Sequence, residues 1–238
     1  MDDLRVNDGL PRPTASRPLL GLTVLVVEDS RFACDAVRLL CIRSGARIRR
    51  ADCLKSARRH LEVYRPSVII VDMGLPDGSG ADLLAELKDA KPRVSVILAT
   101  SGDPFAAECA IAAGADGFLE KPINSVGLFQ QTILSHLPPE RRPRVPRSVP
   151  DERIKPDPIA YRDDIAHAVE VLGEEQTGQT LDYVSRFLSG VAHSAGDAPL
   201  ADAADRLFQA RVSGVPVSKA LTQVSGLLHD RLEEKIAI

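Results

Sequence analysis

Acidic, hydroxyl and lysine side chains stand at the ends of several short apolar segments of this sequence. Glu28 and Asp29 follow the segment LTVLVV, Asp72 follows SVIIV, and Thr100 and Lys121 come after two later segments of the same kind. If the segments are neighbouring parallel strands, their carboxyl ends share one edge of a sheet, which is where such sheets bind ligands. We therefore expect three carboxylates, one hydroxyl and one ammonium group to meet there.

These residue types in one place predict phosphoryl transfer. Three adjacent carboxylates repel one another unless a cation lies among them, and Mg²⁺ suits such oxygen ligands because it keeps several waters and accepts a phosphoryl oxygen. Lys121 and Thr100 could then neutralise and hydrogen-bond a phosphoryl group. Asp72 alone could simply cap the turn after its strand. Its register with the other residues favours a nucleophile that accepts the phosphoryl group.

The elements that must position these residues can be read from the hydrophobic pattern. Between Gly21 and about Leu137, short apolar segments alternate with stretches that carry apolar residues at helical spacing. Three segments are almost continuously apolar, as in strands covered by helices on both faces. The pattern predicts an α/β fold with a doubly wound, five-stranded parallel sheet. The predicted strands lie at residues 22–27, 46–50, 67–71, 94–98 and 116–120.

Composition changes along the chain predict the domain organisation. Residues 1–20 are expected to be a flexible N-terminal segment, and residues 21–137 form the α/β domain. Residues 138–158 are rich in proline and arginine, which predicts an extended, semi-rigid linker. Residues 159–238 show helical spacing throughout, with about four apolar stripes, and predict a small all-α bundle.

The overall composition of the 238 residues narrows the functional class. Hydrophobic residues make up 44% and charged residues 26%, and the net charge is −3. No export signal and no apolar run near the roughly 18 residues that span a bilayer are seen, so a cytoplasmic protein without a membrane partner is expected. The cysteines lack metal-ligand spacing and are expected to be reduced and buried. They are Cys34, Cys41, Cys53 and Cys109.

Four stretches together resemble the signatures of the response regulator receiver domain of two-component signalling. They are VLVVEDS, VIIVDMGLPDGSG, VILATSG and GADGFLEKP, and they occur in order with family-like spacing over residues 22 to about 137. The resemblance implies a CheY-like, flavodoxin-like receiver fold. It also implies a phosphoprotein in which a partner histidine kinase or phosphotransfer protein converts Asp72 to 4-aspartylphosphate.

The resemblance further implies a set of metal ligands. Glu28 and Asp29 match the acidic pair that holds Mg²⁺, with Glu at 28 where Asp also occurs in the family. Asp72 and the backbone carbonyl of Gly74 match the remaining protein ligands. Mg²⁺ is therefore the expected cofactor.

A second set of positions matches the switch of the receiver family. Thr100 matches the hydroxyl that turns toward the phosphoryl group, and Lys121 matches its charge partner. Phe118 matches the aromatic residue whose rotamer follows the threonine, although packing would equally explain an aromatic residue in an edge strand. Pro122 matches a position where the family often has a cis peptide bond.

The role of the helical segment is left with alternatives. Many receiver domains with a tail of this size carry a DNA-binding helix-turn-helix, but acidic residues exceed basic ones in residues 151–238, and no basic recognition helix stands out. Output through a downstream protein partner or a self-dimer is favoured, and no catalytic constellation indicates an enzyme. Residues 198–232 faintly resemble a histidine phosphotransfer domain with Asp205 in place of the histidine, which implies a degenerate bundle kept for binding or dimerisation.

Overall fold

The computed structural model describes residues 12–103, 105–144, 148–173 and 177–234, which form an α/β domain followed by a helical domain. The α/β domain consists of β1 (Thr23–Val27), α1 (Arg31–Ser44), β2 (Arg47–Ala51), α2 (Leu54–Val63), β3 (Val68–Asp72), β4 (Gly74–Leu75), β5 (Gly78–Ser79), α3 (Gly80–Asp89), β6 (Val96–Ser101), α4 (Ala106–Ala113), β7 (Gly117–Glu120) and α5 (Val126–His136). The helical domain consists of α6 (Pro158–Gly173), α7 (Gly178–Ala195), α8 (Ala198–Val212) and α9 (Ser218–Glu233).

The sheet of the α/β domain has five parallel strands in the order β2-β1-β3-β6-β7. Asp72 pairs with Thr100 in the register of β3 and β6, and Ser101 pairs with Glu120 in that of β6 and β7. A short antiparallel hairpin, β4 with β5, comes directly after Asp72. The predicted doubly wound sheet is confirmed, and its register brings the polar strand ends to one edge.

Two layers of helices cover this sheet. Helices α1 and α5 pack on one face and helices α2, α3 and α4 on the other. Every residue of β3 is buried, with Val68 and Ile70 facing one layer while Ile69 and Val71 face the other. This burial on both faces explains why the strand is apolar at consecutive positions rather than alternating.

The helical domain is a bundle, as the spacing of its apolar residues predicts. Its core takes one stripe from each of the four helices, including Ile165, Val184, Leu207 and Val224. Helix α7 ends at Gly196, whose φ of 74° lies in the left-handed region that glycine adopts without strain.

Helices α6 and α7 dock on the α/β domain, which the sequence did not indicate. Helix α6 packs along α1, and α7 contacts α1 and β4. Asp164 of α6 is almost fully buried between the domains, where it accepts hydrogen bonds from Ser30 Oγ (2.7 Å), the Arg31 N–H (2.8 Å) and the Phe32 N–H (3.0 Å). A carboxylate from the helical domain thus caps the first helix of the α/β domain.

The linker also packs more closely than its composition predicts. The Ile154 N–H donates to the Asn124 carbonyl (2.9 Å), and the Val126 N–H donates to the Glu152 carbonyl (3.0 Å). The Ile154 side chain joins the core beneath α1 and α5. Pro139–Arg141 forms a short 3₁₀ helix, and the residues around Ile154 are anchored to the α/β domain instead of spacing the domains apart.

Two further expectations need correction. Residues 1–11 of the predicted flexible segment lie outside the described residues, but Leu19 is fully buried and its N–H donates to the Ser44 carbonyl (3.0 Å). The core therefore begins before residue 21, because Leu19 covers the end of α1. Of the cysteines, Cys34 and Cys41 are buried, whereas Cys53 is half-buried and Cys109 is exposed on α4.

Within the described residues, all helices are too short or too polar to cross a membrane.

The interdomain cap gives a testable difference between two adjacent aspartates. Asp164→Ala leaves three donors without their acceptor and should lower the free energy of unfolding by about 2 kcal/mol. Asp163 makes a 2.7 Å ion pair with Arg31 in which both side chains are largely exposed. Asp163→Ala should therefore cost less than about 1 kcal/mol. Urea unfolding of both full-length variants measures the difference, and equal losses would contradict the assigned cap.

Candidate functional site

Three carboxylates lie together at the carboxyl edge of the sheet. Glu28 and Asp29 follow β1, and Asp72 is the last residue of the neighbouring strand β3. One oxygen from each of the three lies within 4.8 Å of the other two. Glu28 and Asp72 are buried, with 2% and 7% of their surface exposed. We call these three residues the acid cluster.

Lys121 supplies the positive charge that faces the acid cluster. It follows β7, and its Nζ lies 2.8 Å from Glu28 Oε2 and 3.2 Å from Asp72 Oδ1. Only 5% of the Lys121 side chain is exposed, so solvent screens these pairs little. The peptide bond between Lys121 and Pro122 is cis, as the resemblance implied.

The charges of this site perturb its pKa values. Burial raises the pKa of Asp72 from its ordinary value of 3.8 to about 7, against the opposing effect of Lys121. Burial and the neighbouring Glu28 and Asp72 also hold the pKa of Asp29 well above its usual range. Burial alone would lower the pKa of Lys121, but Asp72 and Glu28 raise it above its ordinary value. Three carboxylates facing one ammonium group leave an excess of negative charge, and this excess fits a divalent cation.

Thr100 adds an unused hydroxyl beside the acid cluster. It stands opposite Asp72 in the β3–β6 register, and only 2% of its surface is exposed. Among the described residues, its Oγ1 has no hydrogen-bond partner. A buried hydroxyl without a partner costs free energy, so its retention fits a ligand that bonds to it.

The two remaining predicted residues lie close to this cluster. The Gly74 backbone N–H opposes the rise in the pKa of Asp72, and a β-carbon at Gly74 would lie 4.0 Å from Asp72 Oδ2. Phe118 pairs with Ala99 in the sheet and packs, half-buried, on the core beneath α2, α3 and α4. The fold thus brings every predicted site residue to one edge of the sheet or to the strand beside it.

The helical domain forms one wall of the site, and sequence reasoning missed its contribution. Tyr183 of α7 donates a hydrogen bond from its hydroxyl to Asp29 Oδ2 (2.8 Å). A β-carbon at Gly190 of α7 would lie 3.6 Å from Lys121 Nζ, which shows how closely the helix passes. A cavity of about 480 Å³ separates the walls. The helical domain lines it with residues that include Arg186, Phe187, Ser189, His193 and Asp205.

No motif in the sequence marks Tyr183 or Asp164 as part of this site. Tyr183 lies beside an apolar stripe on a helix, and Asp164 precedes such a stripe. Most residues at positions of this kind are explained by packing or by contact with solvent. Asp205, which replaces the histidine in the faint phosphotransfer resemblance, lies on α8 and accepts a hydrogen bond from Ser189 Oγ (2.6 Å). Its side chain lines the same cavity.

Comparison with known protein families decides the identity of the first domain. Residues 24–132 match the family described as the response regulator receiver domain. These residues form a receiver domain. The match contains the acid cluster, Thr100 and Lys121, and the helical region of this chain lies beyond the matched residues.

Two relatives of this chain are named transcriptional regulatory proteins. The KDP operon transcriptional regulatory protein KdpE of Escherichia coli (strain K12) is 28% identical over 174 residues, which cover 73% of each protein. The transcriptional regulatory protein KdpE of Mycobacterium tuberculosis (strain CDC 1551 / Oshkosh) is 32% identical over 99 residues, covering 42% of this chain and 44% of that protein. The chain thus matches less than half the length of the latter relative.

Receiver domains in solved structures are also similar to the first domain. The signal receiver domain of a signal transduction histidine kinase from Syntrophus aciditrophicus aligns with 22% identity and a TM-score of 0.45. The alignment covers 53% of this chain and 98% of that chain.

The raised pKa of Asp72 predicts how the metal-free chain responds to pH. Because its folded-state pKa of about 7 exceeds the ordinary 3.8, the carboxyl group stabilises the fold only while protonated, and this stability is lost as the pH rises toward 7. Asp72→Asn cannot ionise and should be more stable than the unsubstituted chain at about pH 8, with a smaller gain at about pH 5.

Urea unfolding in the presence of EDTA at both pH values measures this effect. Asp82→Asn provides the control, since Asp82 is an exposed carboxylate on α3. It should change little at either pH. A loss of stability in Asp72→Asn at about pH 8 would contradict the repulsion assigned to the acid cluster.

Proposed function

We propose that this protein is a two-component response regulator that is phosphorylated on Asp72 in a Mg²⁺-dependent reaction. The observation that carries the proposal is the buried site in which Asp72 stands among two further acids, Lys121 and the Thr100 hydroxyl, which has no hydrogen-bond partner within the described part of the chain. A structural turn-capping aspartate would need none of these neighbours. A partner histidine kinase or phosphotransfer protein would supply the phosphoryl group.

In the proposed reaction an Asp72 oxygen attacks the phosphorus of the donor, and the bond from phosphorus to the donor's nitrogen or oxygen breaks. Mg²⁺, held by Glu28, Asp29, Asp72 and the Gly74 carbonyl, would neutralise phosphoryl oxygens. Lys121 lies within ion-pair distance of Asp72 and can bind a phosphoryl oxygen as charge moves onto the group. Thr100 can donate its unused hydroxyl to another oxygen.

Phosphorylation would be read out through the face formed by α4, β7 and α5. Movement of Thr100 toward the phosphoryl group would vacate space that Phe118 can enter, which changes this face. Helices α4 and α5 already present apolar side chains to solvent, since Ile111 is 49% and Leu128 58% exposed. Such exposure suits a downstream protein partner or a second copy of the chain.

Output through protein contacts is favoured over DNA binding by the way the helical domain uses its arginines. Arg211 pairs with Asp182 (3.0 Å), and Arg231 pairs with Asp197 (2.6 Å). Arg162 donates to the Leu232 carbonyl (2.7 Å). Guanidinium groups engaged within the domain are poorly placed to neutralise a phosphate backbone. DNA binding remains the second candidate because relatives are named transcriptional regulatory proteins.

Labelling with a small phosphodonor tests the reaction. The full chain incubated with radiolabelled acetyl phosphate and Mg²⁺ should incorporate label that is lost in Asp72→Asn and on addition of EDTA. Asp103→Asn is the control, because Asp103 lines the same cavity outside the acid cluster. It should retain labelling, and equal labelling of the Asp72 variant would sink the proposal.

A gel-shift titration separates the two output classes. If the helical domain works through protein contacts, binding of the phosphorylated chain to random duplex DNA should be weak. Tight binding would support the DNA-binding alternative if the logarithm of the association constant falls linearly with the logarithm of the salt concentration.

A further inference from the structure

The helical domain makes direct contact with a residue of the acid cluster. Tyr183 Oη lies 2.8 Å from Asp29 Oδ2 and donates to it. On its other side, the same hydroxyl lies 3.4 Å from His167 Nε2 of α6. The phenol therefore sits in a short chain of hydrogen bonds that begins in the helical domain and ends on a carboxylate of the receiver domain.

Independent contacts hold Tyr183 at this position. Asp164 binds the start of α1, directly after Asp29, through the three hydrogen bonds described above. Close to the other end of α7, a β-carbon at Gly102 would lie 3.5 Å from the Gly190 Cα. The Tyr183 ring packs against Phe187, with ring centroids 5.8 Å apart. A phenol fixed at several points loses little further freedom when it bonds to a carboxylate.

The geometry points to Tyr183 as a positioning residue for a cation. A carboxylate has two oxygens, so a phenol that bonds Oδ2 fixes the plane of the group and leaves Oδ1 for a metal. Hydrogen-bond partners of metal ligands act in this way, and their loss commonly lowers metal affinity tenfold to a hundredfold. We propose that Tyr183 orients Asp29 for Mg²⁺, so that docking of the helical domain and metal binding at the receiver domain favour each other.

This inference rests on the proposed function, because it assumes that Mg²⁺ binds the acid cluster. It adds that the second domain completes the metal site. Thermodynamic linkage then requires reciprocity, so bound Mg²⁺ must also strengthen docking by the same factor. A signal at the receiver site would thus reach the helical domain directly through Asp29 and Tyr183, without passing through the face formed by α4, β7 and α5.

Calorimetric titration of the full chain with MgCl₂ measures the affinity. Tyr183→Phe keeps the ring and removes the donated hydrogen bond, and it should weaken Mg²⁺ binding at least tenfold. Tyr161→Phe is the matched control, since Tyr161 donates to Asp197 Oδ2 (2.7 Å) within the helical domain. Tyr161→Phe also loses the phenol oxygen and a hydrogen bond to a carboxylate, but away from the acid cluster. Its affinity for Mg²⁺ should stay within twofold of that of the unsubstituted chain.

A spectroscopic measurement on the unsubstituted chain separates positioning from a merely structural effect. The chain has three tyrosines, Tyr64, Tyr161 and Tyr183. With ¹³C at the ring Cζ, the Tyr183 resonance should shift as Mg²⁺ is added and saturate with the calorimetric affinity. The Tyr64 resonance should stay in place, because Tyr64 precedes β3 at the opposite edge of the sheet. The Tyr161 resonance should stay in place as well.

The outcomes distinguish this inference from the proposed function. If the unsubstituted chain binds Mg²⁺ and Tyr183→Phe binds it equally well or more tightly, the inference is overturned while the proposed function stands. A Tyr183 resonance that does not respond to bound Mg²⁺ overturns it in the same way. If the unsubstituted chain binds no Mg²⁺, the inference and the proposed metal dependence fail together.

Discussion

Repulsion among three carboxylates at one edge of the sheet is the constraint on which the rest of the structure depends. Glu28, Asp29 and Asp72 are held together by the parallel register of β1 and β3, and burial makes their charges costly. Lys121 offsets part of that cost through two close ion pairs. The remaining negative charge makes the site suitable for a divalent cation and a phosphoryl group, and the same charge would destabilise a chain that lacked these ligands.

The helical domain also contacts the residues at this edge of the sheet. Asp164 caps α1 directly beyond the acid cluster, and Tyr183 hydrogen-bonds Asp29. The cavity above Asp72 is therefore lined by both domains, with α7 along one wall. Because the domains share side-chain contacts at the site itself, a change in charge there alters the free energy of docking. The proposed coupling through Asp29 and Tyr183 is local, and it differs from the proposed switch through Thr100 and Phe118.

The fold and most of the site could be predicted from sequence because both follow from local patterns. Apolar segments such as SVIIV specify strands buried on both faces, and parallel strands place their carboxyl ends at a common edge. Asp72, Thr100 and Lys121 each stand at the end of such a segment. A correct prediction of the sheet therefore also predicts that these three residues lie close together. The bundle was equally predictable, since its helices carry clear apolar stripes.

What the sequence determined by itself is thus the fold of both domains, the receiver identity of the first, and the residues that meet within that first domain. Only the tertiary structure decided how the domains join, that Leu19 and Ile154 enter the receiver core, and that Tyr183 contacts the acid cluster while Asp164 caps α1. The physical reason is the separation of the contacting residues along the chain. Periodicity reports which face of an element is buried. A contact between residues 154 positions apart depends instead on how whole surfaces pack, and such packing produces no recognisable residue spacing in the sequence.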